Sequence, residues 1–231
     1  MLIPHLFHRI WLGGKPMPSH FVRWGESWQK LHPSWKMKLW TEKEIVHFTN
    51  IDILPKCSNL AMRSDIIRYE VIYREGGVYL DPDMECLKNI EMLVHGVEFF
   101  GCWQRPDILS NAVFGSAPST KIMQNIVWSC RKEFKSEPGN AMGPEFFTRK
   151  VIGWPGVRIY DRETFIPYTR EQYKAFPKKP MIITNPPAGA YAINHRASLW
   201  YSDLTAQLPA ETEPPKTIPE KFTVRVNPTK I

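Results

Sequence analysis

Gly76-Gly77-Val78-Tyr79-Leu80-Asp81-Pro82-Asp83-Met84-Glu85 decides the fold: a glycine turn feeds a short apolar strand that ends in two carboxylates two residues apart. Side chains in an extended segment alternate faces, so Asp81 and Asp83 are expected to point the same way and address one ligand. Two such carboxylates repel each other unless a cation lies between them. Hard oxygen donors suit Mg²⁺ or Mn²⁺, ions that often bridge protein carboxylates to substrate phosphates. The strand end therefore predicts a metal-assisted site for a nucleoside diphosphate. Three other readings compete. Aspartyl-phosphate phosphatases continue Asp-x-Asp-x with Thr or Val, where this chain has Glu85. An EF-hand loop needs a further oxygen ligand, a central glycine and a terminal Glu, and Cys86 to Met92 does not supply that order. A solvated pair of turn carboxylates beside Pro82 is the third; the preceding helix and the Gly-Gly turn weigh against it.

Working outward, Ser58 to Glu75 reads as the longest helix, with Leu60, Ile67 and Val71 on one stripe and Gly76-Gly77 as a left-handed stop. On it Asp65 and Arg68 stand three apart and share a face, a spacing that lets an acid and a base converge on a sugar hydroxyl. The same spacing also serves an exposed intrahelical ion pair worth only ~0.3–0.5 kcal/mol. Toward the N-terminus, Ile3 to Leu12 predicts a strand ending at Gly13-Gly14, Ser19 to Leu31 a helix stopped by Pro33, and Trp35 to Trp40 an alternating, half-buried strand. Thr41-Glu42-Lys43-Glu44 has the form of a capping box opening a short helix. His5 and His8 fall on opposite sides of the first strand and cannot form one metal pair. A β-α-β-α start argues for an α/β domain with a largely parallel sheet. Downstream, strands are expected at Val97 to Trp103, Asn111 to Gly115, Val157 to Tyr160 and Met181 to Thr184, with helices at Ser119 to Phe134 and Glu145 to Val151.

The 231 residues fit one domain with a substantial core, and 43% hydrophobic with 23% charged residues is a globular balance. The nine tryptophans predict that several line a groove; Trp103, Trp154 and Tyr168 are candidates to stack on sugar rings. The net charge of +7 is spread thinly, with Lys178-Lys179 the densest run, and no nucleic-acid motif accompanies it. A basic surface equally suits anionic sugar nucleotides or contact with an anionic membrane surface. Cys57, Cys86, Cys102 and Cys130 are too far apart for a CxxC pair and read as reduced thiols. No apolar run approaches the roughly 20 residues that span a bilayer, and no signal peptide is evident, so the expected location is cytoplasmic. Five prolines with little periodicity mark residues 208–231 as a tail or linker after a catalytic domain of residues 1–207.

Three blocks carry a specific resemblance: Ile3-Pro4-His5-Leu6-Phe7-His8-Arg9-Ile10-Trp11-Leu12-Gly13, Arg63-Ser64-Asp65-Ile66-Ile67-Arg68-Tyr69, and Gly76 to Asp83. Together they resemble the DxD sugar transferases of glycosyltransferase family 32 type. That group includes yeast-type initiating mannosyltransferases and capsular-polysaccharide sugar transferases, and is related to the clostridial glucosylating toxins. Asn111-Ala112-Val113-Phe114-Gly115, Met142-Gly143-Pro144-Glu145 and His195 with Ser198-Leu199-Trp200 follow in the same order.

The resemblance implies a GT-A type Rossmann-like fold with a central, mostly parallel mixed sheet, binding a nucleoside-diphosphate sugar, a UDP-sugar ahead of a GDP-sugar. Ile10 and Trp11 would form the nucleoside edge, and Asp65 and Arg68 would hold donor-sugar hydroxyls. Asp81 would contact ribose or cation, Asp83 would ligate Mn²⁺ or Mg²⁺, and Asn111 would lie near the reacting carbon. His195 and Trp200 would close over the diphosphate, His195 also as a metal ligand. A glycan or other hydroxyl acceptor, retention of configuration and a role in polysaccharide biosynthesis follow from the same likeness. Two alternatives stay open: a sugar-nucleotide or glycan-binding module without transfer, and a metal-dependent sugar-phosphate hydrolase.

Overall fold

The computed structural model describes residues 2–135, 142–169, 171–172 and 186–197. Along the chain it forms β1 (Leu6–Ile10), α1 (Ser19–Leu31), β2 (Lys36–Trp40), α2 (Leu60–Glu75), β3 (Gly77–Leu80), β4 (Met84–Cys86) and α3 (Glu91–Val94). Then come β5 (Phe99–Arg105), β6 (Ile108–Ser116), α4 (Lys121–Glu133), α5 (Pro144–Val151), β7 (Val157–Tyr160), α6 (Arg162–Phe165) and β8 (Ala192–Asn194). Six strands make one sheet in the order β2-β1-β3-β6-β5-β7. β1 pairs parallel with β2 and β3, and β5 pairs parallel with β7. β6 runs antiparallel to both β3 and β5. The β-α-β-α start thus gives the expected parallel half, and the β5–β6 hairpin makes the whole sheet mixed.

Both faces of the sheet are covered, and alternation sorts its side chains into two cores. Ile10, Tyr79, Phe99 and Phe114 pack with α2, α4 and α5 on one face. Phe7, Val78, Leu80, Phe100 and Val113 pack with Trp28 of α1 and Phe165 of α6 on the other. α2 is capped by Asn59, whose side-chain oxygen accepts from the Met62 amide at 2.8 Å. Its burial exceeds the expected stripe: Met62 and every residue from Ser64 to Ile72 are buried. Polar groups on this helix are therefore core groups. It ends at Gly76 (φ 65) and Gly77 (φ 94), and a Cβ at Gly77 would run into the Leu6 carbonyl of the neighbouring strand. That glycine lets α2 turn directly into the centre of the sheet.

Several expectations change on contact with the structure. Glu44 Oε2 accepts from the Thr41 amide at 2.8 Å as in a capping box, but the Thr41 hydroxyl accepts from the Lys43 amide instead of that of Glu44, and the segment is a turn. His47 at φ 57 breaks the continuation that a helix would need. Trp28, Trp35 and Trp40 are packed in the core rather than groove-lining. Trp28 and Trp35 close around Phe7 with ring centroids 5.2 and 4.5 Å away. Cys86, Cys102 and Cys130 are buried free thiols and Cys57 a half-buried one. Among the described residues no helix is long and apolar enough to cross a membrane. The expected strand at Met181 to Thr184, the domain limit at 207 and the Pro-rich segment 208–231 lie outside the described residues.

Candidate donor site at the end of the central strand

β3 delivers Tyr79 and Asp81 to the α2 face of the sheet, where α2 supplies Ser64, Asp65, Arg68 and Tyr69 and β6 supplies Asn111. Arg68 Nη1 donates to Asp81 Oδ1 at 2.9 Å and to the Asn111 carbonyl at 2.7 Å. Its Nη2 stands 3.1 Å from Asp65 Oδ1, and its guanidinium lies 4.5 Å over the Tyr79 ring. The Tyr79 hydroxyl donates to Asp81 Oδ1 at 2.8 Å. Asn111 Nδ2 donates to Asp65 Oδ1 at 2.8 Å and to the Tyr69 hydroxyl at 3.2 Å. Asp65 and Arg68 are 5% and 4% exposed. They are not a surface ion pair, for which a partner would be optional; burial makes it obligatory. Burial pushes the Asp65 carboxyl up to about 7, against the pull of Arg68. For Arg68, burial opposes the charge, but Asp81 and Asp65 outweigh it and the pKa ends above its ordinary value.

The strand stops at Leu80, and the Met84 amide donates back to the Asp81 carbonyl at 3.0 Å. Asp81 to Met84 is thus a turn, and the two carboxylates are neighbours through this turn instead of through strand alternation. Asp83 Oδ2 accepts from the Ala197 amide at 2.9 Å, and its carbonyl accepts from the His195 amide at 2.9 Å. Its Oδ1 is buried with no hydrogen-bond partner among the described residues. Burial, and after it the charge of Asp81, push the Asp83 carboxyl up to about 6.

His195 reaches this turn because β4 and β8 pair antiparallel, with Met84 opposite Asn194. Its ring stacks on Trp24 at 4.1 Å and 8°, and Nε2 is 2.8 Å from Glu85 Oε2. Its Nδ1 is buried and without a hydrogen-bond partner among the described residues. Trp24 lies 5.1 Å from Phe21, and Phe21 5.4 Å from Trp11. A row of rings on α1 thereby links the end of β1 to His195. Trp11 is half-buried, its Nε1 donating to the Lys15 carbonyl at 2.7 Å. Ile10 is fully buried in the core, so its side chain offers no nucleoside edge.

Asp65, Arg68, Asn111 and Asp81 therefore form one network; Asp83 and His195 meet beside it; Trp11 stands at the far end of the aromatic row. Ser198 and Trp200 lie outside the described residues. Trp103 and Trp154 pack in part on the core, and Tyr168 is buried, which leaves the first two as sugar-stacking candidates. Sequence reading missed Tyr69, Tyr79, Trp24, Glu85 and Arg9. The tyrosines were signalled by their i+4 and i+2 spacings from Asp65 and to Asp81; Trp24 and Glu85 depend on a three-residue strand pair that periodicity does not reveal, and Arg9 on a burial that a strand pattern does not show.

A divalent cation fits one part of this site well. A buried carboxylate oxygen without a donor, on a carboxyl raised by burial and by a second carboxylate, is stabilised by a hard cation. The expected trio of Asp81, Asp83 and His195 does not form, since no three His, Cys, Asp or Glu side chains among the described residues are grouped to hold a metal ion. His195 Nε2 is engaged by Glu85. Two aspartates, completed by oxygens of a phosphate ligand and water, are the donor set that remains.

A mixed sheet whose central strand ends in an Asp-Pro-Asp turn, backed by a buried Asp-Arg-Asn network, defines a GT-A type α/β domain with a carboxylate-tipped ligand site. Residues 18–100 match the family described as the glycosyltransferase sugar-binding region containing the DXD motif, and Asp81-Pro82-Asp83 lies within the matched stretch. An uncharacterised glycosyltransferase of Acanthamoeba polyphaga mimivirus is 27% identical over 163 residues, 65% of this chain and 65% of the relative. Inositol phosphoceramide mannosyltransferase 3 of Schizosaccharomyces pombe is 30% identical over 137 residues, 54% of this chain and 36% of the relative. The chain thus matches about a third to two thirds of the length of these curated relatives. In fold, the PaToxG glycosyltransferase superposes with a TM-score of 0.50 at 16% identity, covering 64% of this chain and 68% of that one.

Proposed function

We propose that the chain transfers a sugar from a nucleoside-diphosphate sugar to a hydroxyl acceptor, with a divalent cation at Asp81 and Asp83. The observation that carries this reading is the Arg68 guanidinium, buried between Asp65 and Asp81, with Asp81 acting in turn on Asp83, whose Oδ1 is buried without a donor among the described residues. A sugar with several hydroxyls needs fixed acceptors and donors of this kind, and a diphosphate needs a cation. A cation there supplies Lewis-acid stabilisation of the departing diphosphate oxygens. The chain's own groups do the rest. Asp65 accepts from a sugar hydroxyl through Oδ2, since Oδ1 is taken by Asn111 and Arg68. Trp11 supports the base, and His195, held flat on Trp24, lies against the diphosphate.

Because Asp65 is tied into the buried network, it suits hydroxyl binding and not attack on carbon. The acceptor oxygen then bonds to the anomeric carbon on the face from which the diphosphate leaves, and its proton passes to a diphosphate oxygen, with retention of configuration. The names of the fungal relatives put mannose and a phosphoinositol-bearing ceramide first among the sugars and acceptors to try. A thermal-shift screen of UDP-, GDP- and dTDP-sugars with and without Mn²⁺ tests the reading, because a ligand that binds only the native state raises its stability. A sugar nucleotide that raises the midpoint only with Mn²⁺, and is then converted to nucleoside diphosphate with an acceptor, supports it. Release of inorganic phosphate from a sugar phosphate would favour the hydrolase instead.

A further inference from the structure

Arg9 occupies a position in β1 where a strand residue is normally apolar or solvent-facing, and it is 5% exposed. Its Nη2 donates to the Phe21 carbonyl of α1 at 2.7 Å and to the Pro82 carbonyl of the acidic turn at 2.6 Å. Nε is buried without a hydrogen-bond partner among the described residues, and the guanidinium lies within the influence of the Asp83 charge. α1 carries Gly25 against it, and a Cβ at that position would run into Nη1. The helix has given up a better helix former, at a cost of about 1 kcal/mol relative to alanine, to admit this side chain. Burying a cation on two carbonyls is costly, and the charge of Asp83 offsets only part of that cost. The two carbonyls belong to the two walls of the candidate site: Phe21 is in the ring row that runs from Trp11 to His195, and Pro82 lies between the two aspartates.

We propose that Arg9 is a positioning residue that ties the Asp81-Pro82-Asp83 turn to α1, and that Gly25 exists to leave room for it. Its significance for metal binding rests on the transferase reading; the mechanical tie does not. By pulling the Pro82 carbonyl inward, Arg9 fixes the turn closed by the Met84 amide on the Asp81 carbonyl, and so the direction of the Asp83 carboxylate. Both carbonyls are met from Nη2, at the far end of a planar fork, and the lysine ammonium, carried on a shorter side chain, stops short of that place.

Four proteins test this: Arg9→Lys, Arg9→Met, Gly25→Ala and the double variant Arg9→Met/Gly25→Ala. The first readout is metal-free hydrogen exchange at the Met84 and Ala197 amides, which report the turn and its contact to Asp83, with the α2 amides as an internal reference. Exchange at both should rise about tenfold or more in Arg9→Met and in Gly25→Ala relative to α2, and no further in the double variant, because the two changes remove one interaction. Arg9→Lys should fall between. Equal protection of these amides in Gly25→Ala and the unaltered chain, or additive effects in the double variant, overturns the proposal. If Arg9→Met does not fold, Arg9→Lys and Gly25→Ala carry the same comparison. The second readout is Mn²⁺ affinity in the presence of UDP, expected to weaken about tenfold in parallel with exchange. An unaltered chain that binds no Mn²⁺ would count against the transferase reading while leaving the exchange result to decide the tie.

Discussion

Arg68 donates to Asp81 at 2.9 Å from a guanidinium that is only 4% exposed, so the carboxylate at the end of the central strand is held by a buried cation of the preceding helix. Sequence spacing paired Arg68 with Asp65; the structure makes it the centre of both. Arg68→Met leaves two carboxylates without their shared cation, and breaking a buried pair in this way costs about 3–5 kcal/mol. Transfer should be lost and the urea midpoint should fall sharply, while Arg68→Lys keeps the charge, loses the two-pronged geometry and should retain part of the stability with little activity. A lysine variant with unaltered turnover would contradict this role.

Asn111 has a smaller part. Its amide donates to Asp65 and to the Tyr69 hydroxyl, and Asn111→Ala leaves buried acceptors without that donor, a loss of roughly 1–3 kcal/mol. Its carbonyl still receives Arg68, so the fold should persist. The expected result is a stable protein with the donor KM raised by about tenfold, read by steady-state kinetics over donor concentration.

The first strand offers a pH signature. His8 Nδ1 accepts from Trp40 Nε1 at 3.0 Å, so Nε2 carries the proton and donates to the Gly76 carbonyl at 2.8 Å. Burial pulls its pKa from the ordinary 6.5 down to about 4. Above pH 6.5 the imidazole is neutral folded and unfolded, and its contribution is fully present. As pH falls from there to about 4, the unfolded chain takes up a proton that the folded chain refuses, and stability declines by about 3 kcal/mol. Urea midpoints across this window should fall less steeply in His8→Gln than in the unaltered chain; parallel profiles would show that His8 is not the group responsible.

Gly77→Ala should be among the most damaging single substitutions away from the ligand. Its φ of 94 and the approach of the Leu6 carbonyl leave no place for a Cβ. The loss expected from strain plus collision is about 3 kcal/mol or more, measurable as a lowered urea midpoint or as a protein recovered only in aggregates. Gly14→Ala, at φ 67 but in open space, should cost far less.

The elements that periodicity announced were those long enough to show it. α1 and β7 fall on their expected bounds, and the acidic strand, its glycine turn and the Asp65–Arg68 helix were legible because turn chemistry and apolar spacing agree there. β4 and β8, three residues each, carry no period, so the return of His195 to Asp83 was visible only by resemblance. Half of the capping-box chemistry at Thr41 was present, yet three side-chain bonds cannot propagate a helix past His47. Tryptophan count did not say which rings fill the core: α1 lies against the sheet and needs a large apolar ring to fill the gap, so Trp28 went inward. Arg9 was unreadable, since nothing in a strand pattern distinguishes a buried guanidinium clamp from an exposed arginine.

The central claim is that Asp83 holds a cation for a nucleoside-diphosphate sugar. Its most direct test is Mn²⁺-dependent release of nucleoside diphosphate from the preferred donor by the unaltered chain and by Asp83→Asn, with Mn²⁺ titrated to saturation. Asn keeps the size and the contact to the Ala197 amide but removes the charge. The account predicts turnover that requires Mn²⁺ in the unaltered chain and falls by at least about a hundredfold in Asp83→Asn, equivalent to about 2.7 kcal/mol of transition-state stabilisation. Full turnover by Asp83→Asn at saturating Mn²⁺, or equal turnover of the unaltered chain in EDTA, would contradict it.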